Sequence, residues 1–200
     1  MDQPAPSTRD RILQAAGHLF YAQGIRAVSL DAIAEAAGVT KRTLYYHFRS
    51  KDDLITAWLD SRDQPNLITF QYWFSRAKGD AACQIQAIFD NLARSARRQT
   101  WKGCGFLRTS AELVDLPGHP AVVAARVHKK RVETWLASVL QDAGVREDPE
   151  RLARQIILLM DGAFAVVLLH RDPAYFGAAG EAAAALIRKS QDRCKTPPSG

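Results

Sequence analysis

The sequence predicts an all-α chain of about nine helices. Apolar residues recur at spacings of three and four through most of its length. Alternating apolar and polar runs bounded by hairpin turns are missing. Residues that cap helix N-termini stand at the head of successive apolar series, and glycine or proline follows their ends.

In chain order, residues 1–6 read as a disordered lead. Ser7 opens a capping box with Asp10, and Ile12, Leu13, Ala16, Leu19 and Phe20 form the apolar face of the first helix. Gly24 ends it. Ser29 caps a second helix that turns Leu30, Ile33, Ala34 and Ala37 inward, and Gly38 supplies the turn because glycine tolerates positive φ. Thr40 caps a third helix that runs to about Phe48. Ser50 and Asp53 form another capping box, and the fourth helix reaches about Ser61. Pro65 is expected to begin or kink its continuation, which carries Phe70, Tyr72, Trp73 and Phe74. Gly79 and Asp80 break the pattern before a fifth helix over 81–99. A loop over 101–105 leads into a short helix over 107–114. Pro117-Gly-His-Pro120 is the strongest internal breaker. Long helices over 121–142, from Pro149 to His170, and over 174–191 complete the chain, and the tail 195–200 reads as frayed. The expected domain boundary lies near residue 50, separating 1–50 from 51–200.

Composition bounds the class. The 200 residues are 47% hydrophobic and 24% charged, the balance of a soluble globular protein with a sizeable core. The net charge of +6 leans toward a polyanionic partner. Cys83, Cys104 and Cys194 are far apart and lack metal-ligand spacing, which suits a reducing cytosol. The start carries no apolar signal region, and the most apolar run, 156–169, is broken by Asp161 and short for a bilayer. The expectation is a cytoplasmic chain without membrane contact.

Residues 29–51 are the most informative stretch. Two short helices flank a glycine turn. The second of them carries Lys41, Arg42, Thr43, Tyr45, Tyr46 and His47 and no acidic residue. A basic, hydroxyl-rich, aromatic helix behind a tight turn has the chemistry for reading a DNA groove.

The set Ile12-Leu-x-Ala-Ala16, Phe20, Gly24, Asp31-x-Ile-Ala34, Gly38-Val39 and Thr43-Leu-Tyr-Tyr-His-Phe48-x-x-Lys51 resembles the tetracycline-repressor (TetR, AcrR-type) family of transcription regulators. The resemblance covers about residues 8–55. The stretch from Gly103 to Glu112, with His119-Pro120 and the long helix after it, looks like one of that family's C-terminal regulatory subtypes. The resemblance implies an N-terminal three-helix helix-turn-helix DNA-binding unit, then an all-helical ligand-binding and dimerisation domain. It implies a homodimer through the last two helices, a palindromic double-stranded operator and release by a small-molecule effector. Neither a cofactor, a metal nor an enzymatic step is usual.

By the same resemblance Lys41, Arg42 and Thr43 face base edges, and Tyr45 and His47 reach phosphates or groove edges. Leu44 and Phe48 go to the core. Tyr46 is read as a DNA contact or a packing residue. Ser29 and Thr40 are read as plain caps or as caps whose amides also meet phosphate. Lys51 adds charge to a helix N-terminus that attracts phosphate. Asp31 stands where some relatives place a groove-reading basic residue, which shifts base reading toward the third helix.

The C-terminal half offers ligand-lining candidates: Trp73, Phe74, Phe89, Trp101, Phe106, Trp135, Met160 and Phe164. Ordinary core packing is the competing reading for each. Arg108, Glu112, His128 and Asp161 are polar groups in apolar patterns, fit to orient a ligand or to pair within the core. The aromatic content suggests an apolar or aromatic effector. Two other functions compete. An architectural DNA-binding protein would show little sequence preference and no effector. A helical enzyme has only Glu112 and His128 as a candidate pair, without a nucleophile motif or phosphate loop. A regulator could also act as an activator.

Overall fold

The computed structural model describes residues 5–145 and 148–193. The readings of the first four residues, of Cys194 and of the tail 195–200 lie outside the described residues. Among the described residues the chain is helical throughout: α1 (Thr8–Gln23), α2 (Leu30–Ala36), α3 (Lys41–His47), α4 (Lys51–Arg76), α5 (Ala81–Ala96), α6 (Gly105–Glu112), α7 (Pro120–Asp142), α8 (Pro149–His170) and α9 (Ala174–Arg193).

The caps explain where the first helices start. The hydroxyls of Ser7, Ser29, Thr40 and Ser50 each accept the backbone N–H three residues on, at 3.0–3.1 Å. Each satisfies one of the donors that a helix start leaves without an internal partner. Asp80 does the same for α5, accepting from the Cys83 amide at 2.8 Å. That hydrogen bond holds the Asp80 carboxyl below its ordinary range.

Three boundaries differ from the sequence expectation. α5 ends at Ala96 rather than near 99, and α6 spans Gly105–Glu112 rather than 107–114. The largest difference is α4, which does not stop near Ser61 but continues as one helix through Pro65 to Arg76. Proline removes one helical hydrogen bond and crowds the carbonyl four residues back. Pro65 and Ser61 are both exposed, so water can serve the freed carbonyl.

The chain divides into two compact units, Met1–Gln64 with Cys104–Arg126, and Pro65–Gly103 with Val127–Gly200. The boundary expected near residue 50 falls inside the first. α4 and α7 each supply residues to both units.

The first unit is built around Ile12, Ala16 and Phe20 of α1, Ile33 of α2, Leu44 and Phe48, and Leu54, Trp58 and Leu59 of α4. Phe106, Leu113, Ala121 and Ala125 complete its core. Each large buried side chain contributes about 1.5–3 kcal/mol relative to exposure. α1 and α4 come close because residue 17 is glycine: a Cβ there would lie 2.9 Å from the Trp58 ring. Trp58 in turn packs on Phe20, ring centroids 5.5 Å apart.

In the second unit α9 lies against α5 and α8. Gly180 permits the α5 approach, since a Cβ there would stand 2.8 Å from the Cβ of Phe89. Trp101 stacks on Phe164 at 6.3 Å and meets Phe176 edge-on at 6.1 Å. α8 corrects the expectation that the apolar run is short: with 22 residues it is long and apolar enough to cross a membrane by length and composition alone. Here it serves as a core helix. Leu152, Ile156, Met160, Ala163 and Val167 are buried, and Asp161 is ion-paired with Lys129 of α7.

Candidate nucleic-acid interface

The α2–turn–α3 segment is held from three sides. Within the turn, Gly38 takes φ +62°, a conformation that favours glycine, and Val39 N–H donates to the Ala34 carbonyl at 3.0 Å. From α1, Arg11 Nη2 donates to the carbonyls of Ala37 and Gly38 at 2.8 and 3.1 Å. Beneath α3, Leu44 and Phe48 are fully buried, and the Arg9 guanidinium sits 5.0 Å from the Phe48 ring centre. With that face fixed inward, the opposite face of α3 is fixed outward.

Lys41, Arg42, Tyr45 and Tyr46 occupy the outward face. Tyr46 is 85% exposed, so packing does not account for it. Thr43 and His47 are half-buried at its edge. The Thr43 and Thr40 hydroxyls are 2.9 Å apart, and His47 meets the Tyr46 ring edge-on at 5.1 Å. Ser29 and Thr40 act as caps and stay exposed. Lys51 is half-buried, its ammonium donating to the Arg26 carbonyl at 3.3 Å. Arg49, exposed between α3 and α4, is a further cation that reasoning from the motif overlooked.

Asp31 and Lys41 form an exposed ion pair at 2.8 Å that joins α2 to α3. The hydrogen bond and charge of Asp31 raise the Lys41 pKa, so Lys41 is an ammonium at any working pH. The carboxylate also opposes the use of that charge on phosphate. Asp31→Asn is therefore expected to strengthen general DNA binding and to steepen its salt dependence by roughly one counterion term. A titration of duplex binding against salt concentration measures both.

Long-range contacts position the end of α1, and none of them could be found from local spacing. The Glu112 carboxylate, at the end of α6, accepts from the Ile25 and Arg26 amides at 3.2 and 2.9 Å. Arg26 Nε returns a bond to the Glu112 carbonyl at 2.8 Å, and Arg108 Nη1 donates to the Tyr21 carbonyl at 2.8 Å. Gly24, at φ +88°, leaves room for this carboxylate, since a Cβ there would lie 2.9 Å from Glu112 Oε1.

The ligand-lining candidates divide between the units. Phe106 and Glu112 belong to the first, one in its core and the other bound to the α1–α2 connection. In the second, Phe89, Met160, Phe164 and His128 are buried, Trp101 is nearly so, and Phe74 meets Trp135 edge-on at 5.7 Å. Trp73 is half-buried and lies 5.9 Å from Phe70. An open groove of about 560 Å³ runs along Leu67, Val127, Thr134 and Trp135.

Comparison with known proteins agrees with this geometry. Residues 12–58 match the family described as bacterial regulatory proteins, tetR family. The HTH-type transcriptional regulator AcrR of Shigella flexneri is 48% identical over 94 residues, 46% of this chain and 43% of that one. The HTH-type transcriptional repressor KstR2 of Mycolicibacterium smegmatis is 38% identical over 93 residues, 43% of this chain and 45% of that one. The matched stretch spans under half the length of these curated relatives. A solved structure extends the likeness to the whole fold. SCO4454, a TetR-family transcriptional regulator from Streptomyces coelicolor, superposes with a TM-score of 0.77 at 30% identity, over 92% of this chain and 96% of that one. The chain belongs to the TetR family of helix-turn-helix transcriptional regulators, which are DNA-binding proteins and not enzymes.

Proposed function

We propose that this chain is a cytoplasmic, homodimeric repressor that binds a palindromic operator and leaves it when a small molecule binds the second unit. The observation that carries this reading is the outward face of α3, basic, hydroxylated and aromatic, without an acidic residue of its own. In the major groove Lys41, Arg42 and Thr43 read base edges. Tyr45, Tyr46, His47 and Lys51, with the capped starts at Ser29 and Thr40, set position on the backbone.

Dimerisation through α8 and α9 is supported by what those helices leave uncovered. Leu158 is 67% exposed, Leu169 78% and Tyr175 41%, on helices whose other faces are buried. Large apolar side chains left in solvent on otherwise buried helices fit an association surface. A ligand that binds one dimer spacing better than another shifts the population between them by its differential affinity. α4 is the element suited to carry that shift, because it begins beside the reading helix and supplies residues to both units.

The test is hydrodynamic and functional together. The wild-type chain is expected to sediment at about 44 kDa, twice the 22.1 kDa of one chain, and to bind duplex DNA. Leu158→Glu combined with Leu169→Glu places charges in the apolar contact and is expected to yield a folded monomer with sharply weaker DNA binding. A double variant that remains a dimer with full affinity would place the interface elsewhere.

A further inference from the structure

We propose that the second unit holds a binding pocket for a small organic anion, formed where α5 and α8 end. An open cavity of about 480 Å³ lies there, within the size range of small-molecule sites. Its lining includes Arg97, Arg98, Lys102 and Arg171 and no acidic residue. Among the described residues no carboxylate is ion-paired with Arg97, Arg98 or Arg171.

The chain builds this arrangement at some cost. Arg97 caps α5, the Trp101 amide donates to the Arg98 carbonyl at 2.9 Å in the turn that follows, and all three residues line the cavity. Arg171 caps α8 at φ +56°, where glycine or asparagine is the ordinary residue. An arginine there accepts backbone strain that a glycine would avoid. The floor is apolar and fixed: Val167 is buried, and the Trp101 indole is braced by Phe164 and Phe176.

Helix C-termini alone do not account for these charges. Two C-termini present about half a negative charge each, roughly −1 together, against the +3 of three arginines. The remainder of roughly +2 faces a cavity with an indole at its base. That combination fits a carboxylate or phosphate ester carrying a flat apolar body. Guanidinium groups bind the anion through paired N–H donors, and the apolar body meets the small part of the indole that stays open, with Trp101 9% exposed. The pocket would add an anionic group to the apolar or aromatic effector that the aromatic content suggests. That its occupant controls DNA binding rests on the function proposed above, whereas the pocket itself does not.

Calorimetric titration of the full-length chain with 2-naphthoate and its neutral analogue 2-naphthamide tests the site. The carboxylate is expected to bind about tenfold or more tightly than the amide, since a hydrogen bond to a charged group contributes on that order. Arg98→Gln with Arg171→Gln is expected to remove this preference without lowering the melting temperature. Arg171→Gly is expected to weaken 2-naphthoate while holding or raising the melting temperature, because it relieves the left-handed backbone. Equal affinity for the two probes, or unchanged binding in the arginine variants, would overturn the proposal. Release of DNA is read separately. Binding of 2-naphthoate without release supports the pocket and counts only against the release mechanism. Release by another compound, with no 2-naphthoate binding, overturns the pocket and leaves the mechanism standing.

Discussion

Replacing Glu112 with alanine is expected to lower the unfolding free energy by about 2–4 kcal/mol. The carboxylate accepts two backbone N–H groups, those of Ile25 and Arg26, 87 and 86 residues away in sequence. Hydrogen bonds to a charged acceptor contribute about 1.5–3 kcal/mol each, and the Ile25 amide is partly buried, so losing its partner carries a desolvation cost. The exposed Arg26 amide recovers part of its loss from water, which sets the lower end of the range. Glu112→Gln retains one acceptor oxygen and is expected to lose about half as much. Thermal or urea unfolding measures both. Because Ile25 and Arg26 lead into the Ser29 cap of α2, the alanine variant is also expected to bind DNA more weakly. That defect should exceed the one in Glu112→Gln.

The second large effect is expected at the DNA itself. Arg42→Ala should cost roughly 1–3 kcal/mol of operator affinity and relax preference at one base-pair position. Arg42 is exposed on the outward face of α3, and no ion pair ties it to a carboxylate among the described residues. Its neighbour Lys41, by contrast, is engaged by Asp31 at 2.8 Å. A guanidinium so placed meets guanine O6 and N7 through two parallel N–H donors. Arg42→Lys keeps the charge and loses that fork, so it is expected to restore general binding while leaving the base preference relaxed. Competition between matched and single-base-changed duplexes separates the two effects. An intact preference in Arg42→Ala would assign the reading to another side chain of α3.

Features set by a few neighbouring residues were legible in the sequence. A hydroxyl at Ser7, Ser29, Thr40 or Ser50 caps the amide three residues ahead, and both partners lie in one short window. The outward face of α3 follows from the period of the helix once Leu44 and Phe48 are placed inside. What decides the precision of the interface was not legible. Arg11 reaches the turn carbonyls 26 and 27 residues away, and Glu112 reaches α1's end from a helix that lies beyond the boundary expected near residue 50. No local pattern marks these partners, because they meet only after the chain has packed. Pro65 was ambiguous for the opposite reason. Its local preference fits a helix start or a kink, and the structure carries one helix through it. The aromatic residues of the second half were visible one by one, but most proved to be packed on each other or buried. The arginines at the ends of α5 and α8 come together only in the fold.

The central claim is that α3 of a paired chain reads base sequence. Selection of bound duplexes from a random pool, with the full-length chain at physiological salt, tests it most directly. The expected product is a palindromic motif whose half-site centres lie about one helical turn, roughly 34–36 Å, apart. Recovery of no motif, with binding that only falls as salt rises, would contradict base reading by α3 and leave a protein that holds DNA through its phosphates alone.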